Sequence, residues 1–254
     1  MQLELDTKKS VEQNAAVYYD RAKKIKKKIE GAKTALAQSR LKLAELEKKE
    51  IKEIKKKEAP RAKEWYEKFR WFYTSEGLLV IGGRDATTNE IVVKKHTDKD
   101  DLVFHTDMIG SPFFVIKNTG SIGEASIKEA ADATVTFSRA WKLEMQSSSV
   151  FYCRPDQLTK EAPSGEFVPK GGFITKGKLT YAENKVNLAI CLFEGKVMAG
   201  PLSSVKSHCK TFVEIEQGRD KASSVAKYIE KKIGGSPDEI IRVLPSGGFK
   251  VKKV

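Results

Sequence analysis

The sequence predicts an α+β protein: a long N-terminal coiled-coil helix, a mixed α+β domain and a small α+β C-terminal appendage. Two observations lead to this prediction. A heptad pattern of apolar residues runs without proline as far as Pro60, and short apolar runs bounded by Gly, Pro, Asn or Asp follow it. We place the helix in residues 1–62, the mixed domain in 63–180 and the C-terminal region in 181–254.

Residues 10–58 carry the signals of one continuous helix. Ser10 and Gln13 fit a capping box, and the apolar residues that follow are spaced mostly four and three apart. A helix this long needs to bury such a seam, so we predict a coiled coil. Its second arm is either a helix missing from this chain or a second copy in a homodimer. The seam consists of Tyr18, Ala22, Ile25, Ile29, Ala32, Leu36, Leu43, Leu46 and Ile54.

The charge of the chain favours a polyanionic partner. Lys and Arg number 47 against 34 Asp and Glu, which gives a formal net charge of +13. Such an excess suits a nucleic acid or an anionic membrane surface. The lysine blocks "AKKIKKKIEGAK" and "KKEIKEIKKKEAPRAK" are either a solvated helix face or a basic stalk near RNA phosphates.

Several classes of protein are disfavoured by the sequence. The three cysteines form no C-x-x-C pair and have no His at metal spacing, so we expect reduced thiols, no metal and no cofactor. No apolar stretch approaches the length of a membrane span, and the first residues do not form a signal peptide. We therefore expect a cytoplasmic protein that does not insert into a membrane.

A cluster of aromatic residues follows the long helix. In "EWYEKFRWFYTSEG" (64–77), six aromatic residues alternate with Lys68 and Arg70. Aromatic and basic residues in this arrangement can stack nucleobases. The simpler interpretation, which we favour, is that the end of the helix docks on a core and continues into a first strand.

Short strands and two helices are predicted for the mixed domain. "GLLVIGG", "DLVFHTD", "PFFVIKN" and "SSVFYCR" are strands. "TTNEIVVKKH" is either a short helix capped by Thr88, which we favour, or a strand. "SIKEAADATVTFSRAWKL" is a helix in which Ser126 and Glu129 form a capping box. Residues 163–178, rich in Gly and Pro, form a looped hairpin.

The C-terminal region is predicted to add two strands and two helices. "VNLAICLFEG" and "KTFVEIEQG" are strands. "KASSVAKYIEKKIGG" is a helix that ends at Gly234. In "SPDEIIRVL", Ser236 is the cap, Pro237 the first helical residue and Glu239 the closing member of a capping box.

The turn "GGRD" after the first long apolar run has a geometry that can grip phosphate. It matches neither of the common phosphate-binding signatures, so we interpret Gly82 and Gly83 as supplying backbone angles that other residues cannot adopt. Arg84 then either forms a local ion pair with Asp85 or acts as a fixed phosphate ligand.

"FHTDMIGSPFF" (104–114) is the second concentration of polar residues. His105 and Asp107 could act as a general acid and base. No nucleophile or metal set accompanies them, so a histidine hydrogen-bonded at a surface turn is the favoured interpretation. In the turn around Gly110, contacts of Ser111 to phosphate are the better functional hypothesis.

The domain sequence also resembles a known family. "WYEKFRWFYTSEGLLVIGGRDATTNEIVVKKH", "DLVFHTDMIGSPFFVIKN", "AADATVTFSRAW" and "VFYCRPDQLTKEAPSGEFVPKGGFITKGK" are similar to the NFACT-R domain of the NEMF/RqcH ribosome quality-control family, in its archaeal and eukaryotic branch. "NAAVYYDRAKKIKKKIEGAKTAL" resembles the second arm of the family's coiled coil, and the C-terminal part resembles its NFACT-C region. The family's NFACT-N domain and helix-hairpin-helix segment have no counterpart here. The chain thus resembles the C-terminal half, either truncated or naturally split.

The resemblance implies a non-enzymatic RNA-binding role on stalled large ribosomal subunits, with tRNA and large-subunit RNA as partners. We expect the turn glycines Gly82 and Gly83 to shape the RNA-binding surface. The predicted contact residues are Arg84, Asp85, Asn89, Lys94, Lys95, His105, Asp107, Gly110, Ser111, Lys117 and Asn118. Two alternatives stay open: a protein-only coiled-coil assembly module, and an RNA-processing enzyme that uses His105 and Asp107.

Overall fold

The computed structural model describes residues 4–8, 10–55, 63–162 and 167–252, with the side chains of 44–55 left out. The chain divides into two compact units, Met1–Lys63 and Glu64–Val254. No helix within the described ranges is long and apolar enough to cross a bilayer.

The first unit is dominated by helix α1, Val11–Lys55, which confirms the predicted long helix. Ser10 Oγ accepts a hydrogen bond from Gln13 N–H, and Gln13 Oε1 accepts one from Ser10 N–H, so the predicted capping box is formed. The Tyr18 hydroxyl donates to the Glu4 carbonyl.

The described seam residues of α1 are open to solvent. Ile25, Ile29, Leu36 and Leu43 are about half exposed, with values of 49, 50, 57 and 59%. Leu46 and Ile54 lie outside the residues whose side chains are described. The coiled coil and its second arm therefore stay a prediction.

The second unit begins with a 3₁₀ turn at Trp65–Lys68 and is a mixture of strands and short helices. Its strands are β1 Arg70–Tyr73, β2 Leu79–Gly82, β3 Leu102–Thr106, β4 Phe114–Ile116, β5 Val150–Cys153, β6 Leu158–Thr159, β7 Ile174–Thr175, β8 Thr180–Ala182, β9 Leu188–Phe193, β10 Lys196–Gly200, β11 Phe212–Asp220 and β12 Phe249–Val251. Its helices are α2 Ala86–Lys95, α3 Glu124–Thr136, α4 Arg139–Lys142, α5 Leu202–His208, α6 Ala222–Ile233 and α7 Pro237–Val243. The predicted α+β class is confirmed.

Two antiparallel sheets organise this unit. The larger has the order β1-β2-β4-β3-β5-β8 and the smaller β10-β9-β11-β12, while β6 and β7 form a separate hairpin. One continuous apolar core joins residues of both sheets and of the helices between them, and its largest fully buried side chains include Trp141, Phe72, Phe114 and Phe249. The boundary expected at residue 180 falls at the start of β8 and stays a prediction.

The N-termini of the two helices of the mixed domain differ from expectation. α2 is capped by Asp85, not by Thr88: the Asp85 carboxylate accepts from Thr88 N–H, while Thr88 Oγ1 accepts from Asp85 N–H. α3 begins at Glu124, so Ser126 lies inside the helix and its N–H donates to the Glu76 carboxylate. The expected box with Glu129 is wrong, because Glu129 accepts from Ser75 N–H instead.

The helix expected to run on to Trp141 is interrupted. α3 ends at Thr136, and Ser138 caps the short helix α4 by accepting from Ala140 N–H. In the C-terminal region, α6 ends at Gly234 as predicted, with φ of 81°. Ser236 and Pro237 begin α7 as predicted, but the Ser236 side chain makes no capping hydrogen bond.

The two turn glycines are required by packing and not by backbone angle, which corrects our expectation. Neither Gly82 nor Gly83 has a positive φ. A Cβ at Gly82 would overlap the ring of Phe114, and a Cβ at Gly83 would overlap the side chain of Asn89. The chain can turn here because both residues lack a side chain.

Candidate nucleic-acid interface

A cleft of about 680 Å³ opens on the second unit, next to the glycine turn. We call it the basic cleft. It lies between the start of α2, the turn from β3 to β4, the junction of α3 and α4, and the loop 169–172. Its ionisable lining residues are Arg70, Arg84, Asp85, His105, Arg139, Lys142 and Lys170.

Arg84 lies half-buried at the floor of the basic cleft and does not extend freely into solvent. Its Nη1 donates to the carbonyl of Arg242 at 2.5 Å and its Nη2 to the carbonyl of Phe69 at 2.7 Å. Its Nε is buried without a hydrogen-bond partner in the described part of the chain. Burial, and then the charge of Arg242, lowers the pKa of Arg84 to about 10, against a smaller raising effect of Asp85.

Arg70 lies beside it in a similar environment. Its Nη1 is 3.3 Å from the carbonyls of Val243 and Leu244, and its guanidinium carbon lies 4.4 Å from the centre of the Phe137 ring. Burial, with a further contribution from the charge of Arg84, lowers the pKa of Arg70 to about 9. Arg70 still carries its charge at neutral pH, since this value lies well above 7.

Neither of these half-buried guanidinium groups is neutralised by a carboxylate of the described residues. Among the described residues, no ion pair includes Arg70 or Arg84. Their protein acceptors include the carbonyls at the end of α7, and a helix C-terminus offers only roughly half a negative charge. Two full positive charges therefore remain largely uncompensated, and an unpaired charge out of water is unfavourable.

The only carboxylate lining the cleft within the described ranges is already engaged. Asp85 caps α2, and its hydrogen bond from Thr88 N–H holds its pKa below the usual value. The ion pair between Arg84 and Asp85 that we had considered is therefore not formed. The other cations, Arg139, Lys142 and Lys170, are exposed at the rim.

The loop carrying Lys170 is fixed against α2. Gly171 has a φ of 80°, and a Cβ there would lie 2.5 Å from Cα of Ala86, so only glycine fits. Gly171 N–H donates to the carboxylate of Glu90, which also pairs with Lys94 and Lys160. Those hydrogen bonds, the one from Lys94 first, lower the pKa of Glu90 to about 2.

His105 lines the cleft as part of a packed turn. Its ring stacks on Phe113 with a centroid distance of 4.1 Å, and its Nε2 lies 3.2 Å from the carbonyl of Ser111. Burial lowers the pKa of His105, against backbone hydrogen bonds and the charge of Asp107, which raise it. Asn89 holds the same turn, since its Oδ1 accepts from Phe113 N–H.

The remaining predicted residues lie apart from the cleft lining. Asp107 is exposed and faces Tyr181, whose pKa it raises. Lys117 forms ion pairs with Asp98 and with the buried carboxylate of Asp101. The structure thus brings together Arg84, Asp85, Asn89, His105, Gly110 and Ser111 at the cleft, and leaves Lys94, Lys95, Asp107, Lys117 and Asn118 outside its lining. Their roles toward RNA stay predictions.

Sequence reasoning missed four cationic lining residues. Arg70 was recognised only as a base among aromatics, because its hydrogen-bond acceptors come from residues more than 170 positions later. Arg139, Lys142 and Lys170 belong to a helix end and a loop that only the fold brings together. The two glycines that follow Lys170 were the available signal. No cluster of metal ligands occurs in the described part of the chain.

Comparison with known proteins gives a consistent result. Residues 68–177 match the NFACT protein RNA binding domain family. The chain is 39% identical over 207 residues to the archaeal Rqc2 homolog aRqcH of Methanocaldococcus jannaschii, an alignment that covers 78% of this chain and 31% of that protein. It is 36% identical over 174 residues to the ribosome quality control complex subunit NEMF of Homo sapiens, an alignment that covers 66% of this chain and 16% of that protein. The chain therefore spans less than a third of the length of these relatives.

One solved structure is also similar in part. The C-terminal part of the fibronectin/fibrinogen-binding protein from Streptococcus suis covers 50% of this chain, with 19% identity and a TM-score of 0.39. That likeness is too weak to assign a fold or a function.

Proposed function

We propose, since this chain belongs to the NEMF/RqcH ribosome quality-control family in its archaeal and eukaryotic branch, that residues 64–254 bind RNA through the basic cleft. The RNA is tRNA or ribosomal RNA of stalled large subunits, and the chain acts as a non-enzymatic part of ribosome quality control. The relatives support the role in ribosome quality control, and the cationic lining of the cleft supports the binding of RNA.

One observation carries this proposal: the basic cleft holds five Arg and Lys residues against one carboxylate among its described lining residues. Two of the guanidinium groups are half-buried and have no ion pair with a described carboxylate, so an oxyanion that enters the cleft would balance their charge and accept hydrogen bonds. Phosphate oxygens of an RNA strand have this chemistry.

The enzymatic alternative finds no support in the geometry of the predicted pair. An acid–base pair needs both groups to converge on one open site. His105 lines the basic cleft, whereas Asp107 is exposed and faces Tyr181. We therefore propose that His105 orders the turn around Ser111 and transfers no proton.

A second role, in assembly, is favoured by the open face of α1. Ile25, Ile29, Leu36 and Leu43 are about half exposed at heptad spacing, and a helix of this kind gains stability by packing against another. The occupant is either a second coiled-coil arm or a second copy of this chain. Light scattering of the full chain tests the second copy: twice the mass of one chain is expected for a homodimer, and a single-chain mass would exclude it.

A salt titration with charge-matched variants tests RNA binding by the cleft. The cleft variant is Arg139→Gln/Lys142→Gln/Lys170→Gln, three exposed cations of the rim. The control is Arg219→Gln/Lys227→Gln/Lys231→Gln, which removes the same charge from exposed positions outside the lining. A mobility-shift or anisotropy titration of the full chain with tRNA measures both.

We expect the affinity of the wild-type protein to fall steeply with salt. In the cleft variant the logarithmic salt slope should drop by about 2 to 3, because each lost phosphate contact removes nearly one unit. The control should keep most of its slope. Equal losses in both variants would reject the cleft as the site, and RNA-indifferent behaviour of the wild type would reject the proposed function.

A further inference from the structure

The cations of the basic cleft lie at two depths. Arg139, Lys142 and Lys170 are exposed at the rim, while Arg70 and Arg84 are half-buried at the floor. The convex backbone of a duplex can reach the rim, but a phosphate satisfies the floor only if it enters the cleft. The two arginines at the floor therefore indicate a ligand that enters the basic cleft.

The size and walls of the cleft narrow the class of ligand. Its volume of about 680 Å³ lies within the range of roughly 300–1,000 Å³ that is typical of small-molecule sites. Apolar groups of Ile109, Pro112, Phe137 and Pro169 line it together with the cations. A lone phosphate would leave those walls unused, whereas a nucleotide has both a phosphate and the flat apolar face of a base.

Ile109 is a large apolar side chain that is exposed on the lining of the basic cleft. It lies on the turn from β3 to β4, lines the cleft and is 87% exposed. The adjacent Gly110 has a φ of 86°, which holds the turn in a conformation that other residues rarely adopt. A large apolar side chain is thus exposed to solvent on the same cleft lining as the guanidinium groups.

We propose that the basic cleft receives one unstacked nucleotide, with its phosphate on Arg70 and the rim cations and its base against Ile109 and Pro169. This inference rests on the proposed RNA binding and adds that the recognised form is a single strand. A nucleotide within a strand and a free nucleotide offer the same chemistry, and the experiment below separates them.

The test compares a labelled ten-nucleotide single-stranded RNA with the same RNA annealed to its complement, each titrated with the full chain by fluorescence anisotropy. The variant Ile109→Ala removes the exposed wall. Its control, Ile241→Ala, truncates an isoleucine that is 40% exposed on α7 and does not line the cleft.

We expect Ile109→Ala to weaken binding of the single strand about 5-fold, from the lost apolar contact, and to change duplex binding less than about 2-fold. Ile241→Ala should change neither. Displacement of the single strand by millimolar uridine 5′-monophosphate assigns the cleft to a free or terminal nucleotide. Retained strand preference without such displacement assigns it to a nucleotide inside a strand.

The nucleotide pocket and the proposed RNA binding can each be rejected by a different result. Equal binding of single strand and duplex, with Ile109→Ala affecting neither, would reject the nucleotide pocket and leave RNA binding intact. Absence of binding to both RNAs would reject the proposed function itself.

Discussion

Replacing Arg70 by methionine should leave the stability of the protein nearly unchanged while weakening RNA binding. Arg70 packs its guanidinium on Phe137 and donates to two carbonyls, yet no carboxylate among the described residues pairs with it. If Arg70 served only the fold, the free energy gained from its contacts would exceed the free-energy cost of burying its charge. We expect instead that the two nearly cancel.

The magnitudes follow from the contacts. Lowering the pKa of Arg70 from 12.5 to about 9 corresponds to roughly 5 kcal/mol against the charged form in the folded protein. Two long hydrogen bonds from a charged donor contribute about 3 kcal/mol together, and the contact with the Phe137 ring contributes about 1 kcal/mol. Methionine keeps the packing on that ring, so the free energy of unfolding should change by no more than about 1–2 kcal/mol.

Urea unfolding of the full chain and anisotropy with tRNA measure the two effects. Loss of a charged hydrogen bond to phosphate should weaken RNA binding about 10-fold or more. Arg219→Met, at an exposed position outside the cleft lining, serves as the control and should change neither quantity. A loss of more than about 3 kcal/mol in Arg70→Met with unchanged RNA affinity would refute this reasoning, because Arg70 would then be a structural residue.

Three further predictions concern the surroundings of the cleft. Gly83→Ala should lower the free energy of unfolding by about 1–3 kcal/mol in urea, since its Cβ would displace Asn89, whereas Gly120→Ala, with open space around it, should not. Lys117→Met should cost about 3 kcal/mol or more by the same measurement, because it leaves the buried carboxylate of Asp101 unpaired; an unchanged value would contradict this. Because burial lowers the pKa of His105, the folded protein favours the neutral imidazole and protonation opposes folding. The free energy of unfolding should therefore be highest above about pH 6.5, the usual pKa of histidine, and should fall as the pH drops below it. His105→Phe should lose less stability than the wild type between pH 7 and 5, and parallel curves would reject this.

Local signals in the sequence were sufficient where an element depends on its neighbours. Ser10 and Gln13 cap α1 as predicted, because both partners of the box lie within one turn. Gly234 ends α6 for a similarly local reason, because glycine can adopt the positive φ of a helix C-cap without help from distant residues.

The sequence was insufficient where a distant segment supplies the partner. The start of α3 was misplaced because Glu76, about fifty residues earlier, accepts the hydrogen bond that a local cap would have taken. The turn glycines were assigned a backbone role because Phe114 and Asn89, which need their space, come into contact only in the fold.

The basic cleft shows the same limit. Arg84 was singled out as a residue next to the glycine turn, but its guanidinium donates to the carbonyls of Phe69 and Arg242 and lies at the floor of the basic cleft. Arg70 could not be grouped with it, since its acceptors are at the end of α7. A cluster of cations drawn from separate segments leaves no spacing pattern in the sequence.

Cross-linking of tRNA to the full chain tests the central claim most directly. The RNA carries 4-thiouridine, and mass spectrometry identifies the peptides joined to it after irradiation. We expect cross-links in the segments that line the basic cleft, around residues 105–112, 137–142 and 169–172. Cross-links confined to α1 or to α6, with none in these three segments, would contradict it.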